Sequence, residues 1–171
     1  MESKKDKSIY KEETSWKMFD QIAKNYNFLN DVLSFGILAY WRRCLVRQIP
    51  KNKILDILDC ATGTGEVMFS IAKHRSIIIN SLIGLDLSKE MMAVGEKRKL
   101  SIPQSEKITF THASATSIPY ETNSFDIVSM AFGIRNVDNV EMCLADIYRV
   151  LKKGGKALIM EFSLPSFSPL K

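Results

Sequence analysis

Two kinds of hydrophobic spacing divide the chain. In its first part Trp16, Phe19, Ile22, Ala23 and Tyr26 recur at intervals of three and four, the stripe of an amphipathic helix. Asn30-Asp31 and Ser34-Phe35-Gly36 interrupt that stripe as a loop. A second helix is expected over about 38–48, with Trp41, Cys44 and Leu45 turned inward and Arg42, Arg43 and Arg47 outward. Pro50 ends it.

From Ile54 the spacing changes. Short apolar runs at 54–60, 81–87, 107–112, 125–132 and 156–162 alternate with helical stretches at 66–73, 89–99 and 140–151. The runs are apolar throughout instead of every second residue, as expected for strands covered on both faces. Strand–helix–strand repetition predicts an α/β fold, a doubly wound and mainly parallel sheet with right-handed crossovers. The 140–151 helix is expected to bury Val140, Leu144, Ile147, Tyr148 and Leu151. Lys152 and Lys153 would complement its negative end, and Gly154-Gly155 would supply a left-handed cap. The organisation expected is a helical N-terminal extension, 1–50, followed by one ligand-binding domain, 51–171.

Open sheets of this kind bind ligands beyond the carboxyl ends of their strands, which directs attention to the turn Asp59-Cys60-Ala61-Thr62-Gly63-Thr64-Gly65. Gly63 and Gly65 permit a sharp turn and let a ligand approach the main chain. In a dinucleotide enzyme the next helix would present its amides to a pyrophosphate. Here Glu66 follows Gly65 directly, and Met68 stands where the third glycine of that fingerprint belongs. With Asp59 as a second acid, the local chemistry favours S-adenosylmethionine, which carries an ammonium and a sulfonium, over NAD. Asp86 ends the second apolar run about twenty residues after the glycines, where a carboxylate accepts both ribose hydroxyls. Its competing role as a helix cap is better filled by Ser88. Arg135 and Asn136 lie just past the fourth run, on the expected substrate side.

These residues resemble the class I methyltransferases. More narrowly they are similar to the UbiE-type C-methyltransferases of menaquinone and ubiquinone biosynthesis. The resemblance rests on Asp59-x-Ala61-x-Gly63-Thr64-Gly65, Asp86, Ser114-Ala115…Pro119-Tyr120, Phe132-Gly133-Ile134-Arg135-Asn136 and Tyr148-Arg149-Val150-Leu151-Lys152-Lys153-Gly154-Gly155. In the N-terminal stretch it includes Phe19-x-x-Ile22-Ala23-x-x-Tyr26, Asn30-Asp31-x-x-Ser34-Phe35-Gly36 and Trp41. It implies Thr64 at the glycine loop, Ser114 and Ala115 beside the adenine, and Ala131 at the mouth of the fourth strand. Ser114 stands where Asp or Asn is usual and Ala131 where Ser is common. Each such lost neutral hydrogen bond is worth about 1 kcal/mol, enough to weaken cofactor binding but not to abolish it.

The implied reaction moves a methyl group to a ring carbon of a prenylated quinol. Arg135 would stabilise the developing phenolate, while Asn136, Tyr26 and Asp31 would position the ring. Sheets of this class normally have seven strands, and this chain stops after the fifth expected one, which leaves 156–162 as an apolar edge. A cofactor-binding module with impaired catalysis is therefore the competing expectation.

Composition alters little. The formal charge of +5 accompanies no dense basic run with interleaved aromatics, so it is read as a solvated face and not as a nucleic-acid surface. Nor does Phe132-Gly133-Ile134-Arg135-Asn136 supply the polar-Pro-Pro-aromatic segment with which amino-methylating DNA enzymes hold a flipped base. Three cysteines without Cys-x-x-Cys spacing and two histidines suggest no metal and a reducing compartment. No apolar run approaches the ~20 residues of a membrane span, and the charged first residues lead into no signal segment. A cytoplasmic chain is expected. Peripheral membrane contact through Arg42, Arg43 and Arg47, and a homo-oligomer or a complementing fragment, are conceivable partners.

Overall fold

The computed structural model of the chain describes residues 37–162, together with Lys17. Its elements in order are α1 (Ile37–Val46), β1 (Ile54–Cys60), α2 (Glu66–Ala72), β2 (Ile78–Asp86), α3 (Lys89–Lys99), β3 (Ile108–His112), β4 (Phe125–Ala131), α4 (Val140–Val150) and β5 (Leu151–Met160). Short 3₁₀ turns precede β3 at Ser105–Lys107 and α4 at Ile134–Asn136. The five strands form one sheet in the order β3-β2-β1-β4-β5, every pair parallel. The order reverses between β2 and β4 around the central β1, so the crevice opens beyond the carboxyl end of β1.

Both faces of the sheet are packed at β1 and β4, as their continuous apolar runs require, whereas no residue of the edge strand β5 is buried. Leu55 and Ile57 of β1 join Val67, Met68 and Ile71 of α2 in one core. Leu58 and Cys60 face the other way, with Val128, Met130, Cys143 and Ile147. Leu45, Val46 and Ile49, in and after α1, are buried in the first of these cores. Arg43 and Arg47 are exposed, as the spacing predicts. Arg42 is not: its side chain is only 14% exposed and lies 3.8 Å from Glu66 of α2.

One local rule read from the sequence holds: the Ser88 hydroxyl accepts from the Met91 amide at 3.1 Å and caps α3. The structure adds a second cap, Asn139 on α4, which accepts from the Met142 amide at 3.0 Å. Two other expectations fail at α4. This helix buries Cys143, Ile147 and Val150, leaving Val140 and Leu144 each 40% and Tyr148 81% exposed. It is apolar on two adjacent faces, and the sheet takes the one on which the spacing alone placed only Ile147. Its end is not a glycine cap either. The chain turns extended at Leu151 and enters β5 at once. Gly154, at φ 81°, falls where the β4–β5 register slips between Phe125 and Ile127, a bulge.

The amino end of the sheet is pinned by charge. Lys152 reaches the carboxylates of Asp56 and Asp126 at 2.7 and 2.9 Å, and both aspartates sit at register shifts in their ladders. Asn80 and Ser81 also donate to Asp56 at 2.7 Å. Asp126 also accepts from the Asp56 amide at 3.0 Å and from Lys53 at 3.2 Å. Burial works to raise both aspartates, but the bonds from Lys152 and these partners outweigh it and hold them below the ordinary value of 3.8.

Candidate functional site

At the opposite end of β1 the chain makes a tight turn. Ala61, Gly63 and Gly65 adopt positive φ of 52°, 55° and 83°, and Gly65 in that conformation opens α2. The turn is tied down at two points. The Gly63 amide donates to Asp86 Oδ2 at 2.7 Å, and the Thr62 hydroxyl donates to Asp59 Oδ2 at 2.7 Å. Asp59 also accepts from the Ser129 hydroxyl of β4 at 2.6 Å, directly across the β1–β4 ladder.

Asp59 is therefore 1% exposed, with only neutral donors bonded to its carboxylate. Burial raises its pKa from 3.8 to about 6, against the two hydroxyl bonds and with help from the nearby Asp86. Any contact it makes with a ligand would share a carboxylate already committed to the loop and to β4. Asp86 is only partly buried at the carboxyl end of β2. Besides Gly63 it holds the Ser88 amide at 2.8 Å through Oδ1. Both of its oxygens are thus engaged by main-chain amides at the start of the crevice.

Glu66 is tethered instead of standing as a bare acid at the start of α2. It pairs with Arg98 of α3 at 2.5 Å and with Arg42 at 3.8 Å. Arg98 also reaches the Thr64 hydroxyl at 3.3 Å. The repulsion of anions expected from Glu66 is thereby largely cancelled. The missing third glycine has a structural answer too. Met68 packs fully buried onto β2 at Gly84, where a Cβ would come 2.6 Å from its sulfur. In the dinucleotide motif a helix glycine permits that close helix–strand approach; here the strand supplies it.

The other expected residues gather at the same edge. Ser114 accepts from the Thr116 amide at 3.2 Å, and Ala115 is buried behind it. Arg149 donates to the carbonyls of Ile118 and Tyr120 at 2.8 and 2.7 Å and, with Asp146, fastens that segment to α4. Ala131 ends β4 and Phe132 follows at φ 59°, a left-handed conformation uncommon for an aromatic residue. Arg135 and Asn136 occupy the 3₁₀ turn beyond it. The Arg135 guanidinium pairs with Glu161, and its amide donates to the same carboxylate at 3.4 Å. Tyr26 and Asp31 lie outside the described residues.

Three participants were not singled out from the sequence. Ser129 is the polar exception inside the run Phe125–Ala131, and Glu161 is the acid directly after an apolar strand; both are visible signals in retrospect. Phe162, stacked on Phe132 at 4.6 Å, carries no such mark. Among the described residues there is no cluster of His, Cys, Asp or Glu fit to hold a metal, and no helix is long and apolar enough to cross a membrane.

Comparison with known proteins bears on the fold and the family. The fold is that of an S-adenosylmethionine-dependent methyltransferase from Aquifex aeolicus, at a TM-score of 0.60, 18% identity, 75% of this chain and 68% of that one. The YcgJ protein of Bacillus subtilis superposes at a TM-score of 0.67, 22% identity, 77% of this chain and 54% of that one. At higher identity stands the ubiquinone/menaquinone biosynthesis C-methyltransferase UbiE of Geotalea uraniireducens. It is 44% identical over 155 residues, 91% of this chain and 66% of that protein. UbiE of Agrobacterium fabrum is 40% identical over 149 residues, 86% and 57% respectively. The demethylmenaquinone methyltransferase of Bacteroides fragilis is 40% identical over 161 residues, 94% and 65%. The chain thus spans between 57% and 66% of the length of these relatives. The profile of the ubiE/COQ5 methyltransferase family matches residues 7–171, and the chain belongs to that family.

Proposed function

We propose that this chain binds S-adenosylmethionine at the 59–65 turn and Asp86, and that it serves the C-methylation of a prenylated quinol, demethylmenaquinol in the first instance. The observation that carries the proposal is the pairing of Asp86 with the Gly63 amide. It puts a carboxylate and a side-chain-free main chain together at the switch point of the sheet. The names of the UbiE and demethylmenaquinone methyltransferase relatives support the acceptor class.

When bound, the cofactor supplies an electrophilic methyl group on a sulfonium. The chain's own residues have three tasks. Asp86 takes the ribose hydroxyls while keeping the glycine turn in place, and Ser114 and Ala115 border the adenine, with Ala131 at the mouth of β4. Thr64 and Gly65 hold the turn, anchored from α3 by Arg98. Arg135 and Asn136 face the acceptor, where a guanidinium stabilises an oxygen whose proton is leaving and so makes the neighbouring ring carbon nucleophilic. For Arg135 that role requires sharing its charge with Glu161.

The test is methyl transfer from labelled S-adenosylmethionine to reduced demethylmenaquinone, alongside calorimetric titration of the cofactor. Arg135→Ala should leave the dissociation constant unchanged and slow transfer at least tenfold. Equal activity would move the acceptor site elsewhere. Cofactor binding with no transfer to any quinol would reduce the chain to a binding module, and absent binding would remove both readings.

A further inference from the structure

Beyond the carboxyl ends of β4 and β5, three aromatic rings from distant parts of the chain meet. Phe132 stacks on Phe162 at 4.6 Å with 26° between planes. Trp41 of α1 meets Phe162 edge-on at 5.3 Å and 69°, and lies 6.1 Å from Phe132. The Arg135 guanidinium stands over the Phe162 ring at 5.5 Å. We propose that this trio seats the apolar isoprenoid chain of the acceptor, with Arg135 and Glu161 marking where the chain gives way to the polar ring.

Four observations carry this reading, which rests on the acceptor class proposed above. First, Phe162 is 55% exposed although it is stacked and edge-packed, so part of its surface is accessible to an apolar ligand. Second, α1 extends the apolar surface: Ile37, one helical turn before Trp41, is 49% exposed, and Tyr40 is 58% exposed. Third, Phe132 is held in left-handed backbone, with its amide bonded to the Met160 carbonyl at 2.8 Å. Backbone strain of that kind collects at binding sites and persists only where the surroundings enforce it. Fourth, the Phe162 ring is already engaged by Phe132 and the Arg135 guanidinium, which disfavours insertion of a flat quinol ring. A flexible hydrocarbon needs no free ring face to lie against such a cluster.

The 171-residue chain contains two tryptophans, so Trp16→Phe leaves Trp41 as its sole indole reporter. Titration with farnesol should shift its emission, and Phe162→Ala should weaken that response at least tenfold while cofactor affinity stays within twofold. Phe162→Lys, a charge at a position over half exposed, is the second variant should the alanine protein fail to fold. In the methylation assay the KM penalty of either variant should grow with the number of isoprene units. A uniform loss across acceptors, or no farnesol response in the parent protein, overturns the seat. Farnesol binding without methylation of any quinol would instead sink the proposed reaction and leave the seat standing.

Discussion

Strand β1 carries two aspartates three residues apart, and the fold handles them in opposite ways. Asp56, near the amino end, meets a lysine ammonium that also reaches Asp126. Asp59, near the carboxyl end, meets only hydroxyls and is buried. The first arrangement holds carboxylates below their ordinary range and the second lifts one to about 6. One end of the sheet is thus electrostatically satisfied, while the end where we propose the ligand binds keeps an uncompensated acid beneath its glycine turn. Active sites are where such unfavourable placements persist. The stability given up at Asp59 is available to a cationic ligand, which would favour the ionised form.

The largest predicted effect tests that contrast by removing the Asp59 charge. In the unfolded chain this carboxyl loses its proton near 3.8, and in the folded protein near 6. Between those values the folded state binds more protons, so stability falls as pH rises through the window and stays reduced above it. A rise of that size corresponds to roughly 3 kcal/mol. Asn at this position can accept from one hydroxyl and donate to the other. Asp59→Asn should therefore gain stability in urea unfolding at pH 8, by up to about 3 kcal/mol, and gain almost nothing at pH 3.5. Equal effects at both pH values would break the comparison.

Removing the cation at the other end should do the reverse. Lys152→Met leaves two partly buried carboxylates facing each other. Breaking a fully buried pair costs about 3–5 kcal/mol; with Lys152 35% exposed the expected loss is discounted to about 2 kcal/mol at pH 7. These aspartates have lowered values, so their contribution is present above 3.8 and disappears as pH falls through their folded pKa. The melting temperature of the variant should converge with that of the parent in acid, and cofactor affinity at the far end of β1 should not move. A loss that persists unchanged at pH 3 would assign Lys152 a packing role.

The two ends were not equally legible in the sequence. Asp59, Asp86 and the glycine turn could be placed because strand–turn–helix geometry fixes where they must stand, whatever the rest of the fold does. The strand order then brings Asp86 of β2 onto Gly63. The amino-end cluster was invisible. The spacing places Lys152 at a helix end, whereas the chain turns extended at Leu151 and carries it into β5 beside Asp126. Side-chain partnership across the chain obscured Glu66 as well, since its neutralisation by Arg98 depends on how α3 packs. The buried face of α4 misled for a different reason: two apolar faces satisfy the same periodicity, and only contact with the sheet chooses between them.

The smallest effect is the most specific. Asp86→Ala should raise the S-adenosylmethionine dissociation constant about tenfold, or 1.4 kcal/mol. Two losses are mixed in that figure, because Asp86 also restrains the Gly63 and Ser88 amides. A cycle with a cofactor analogue lacking the ribose hydroxyls separates them. If the carboxylate binds those hydroxyls, the variant and the parent should bind the analogue almost equally, and the tenfold gap should appear only with the intact ribose. If instead Asp86 matters solely by shaping the turn, the gap will be the same for both ligands. The site at the carboxyl end of β1 would then be held together by its acids without being read by them, as the lysine cluster already is at the amino end.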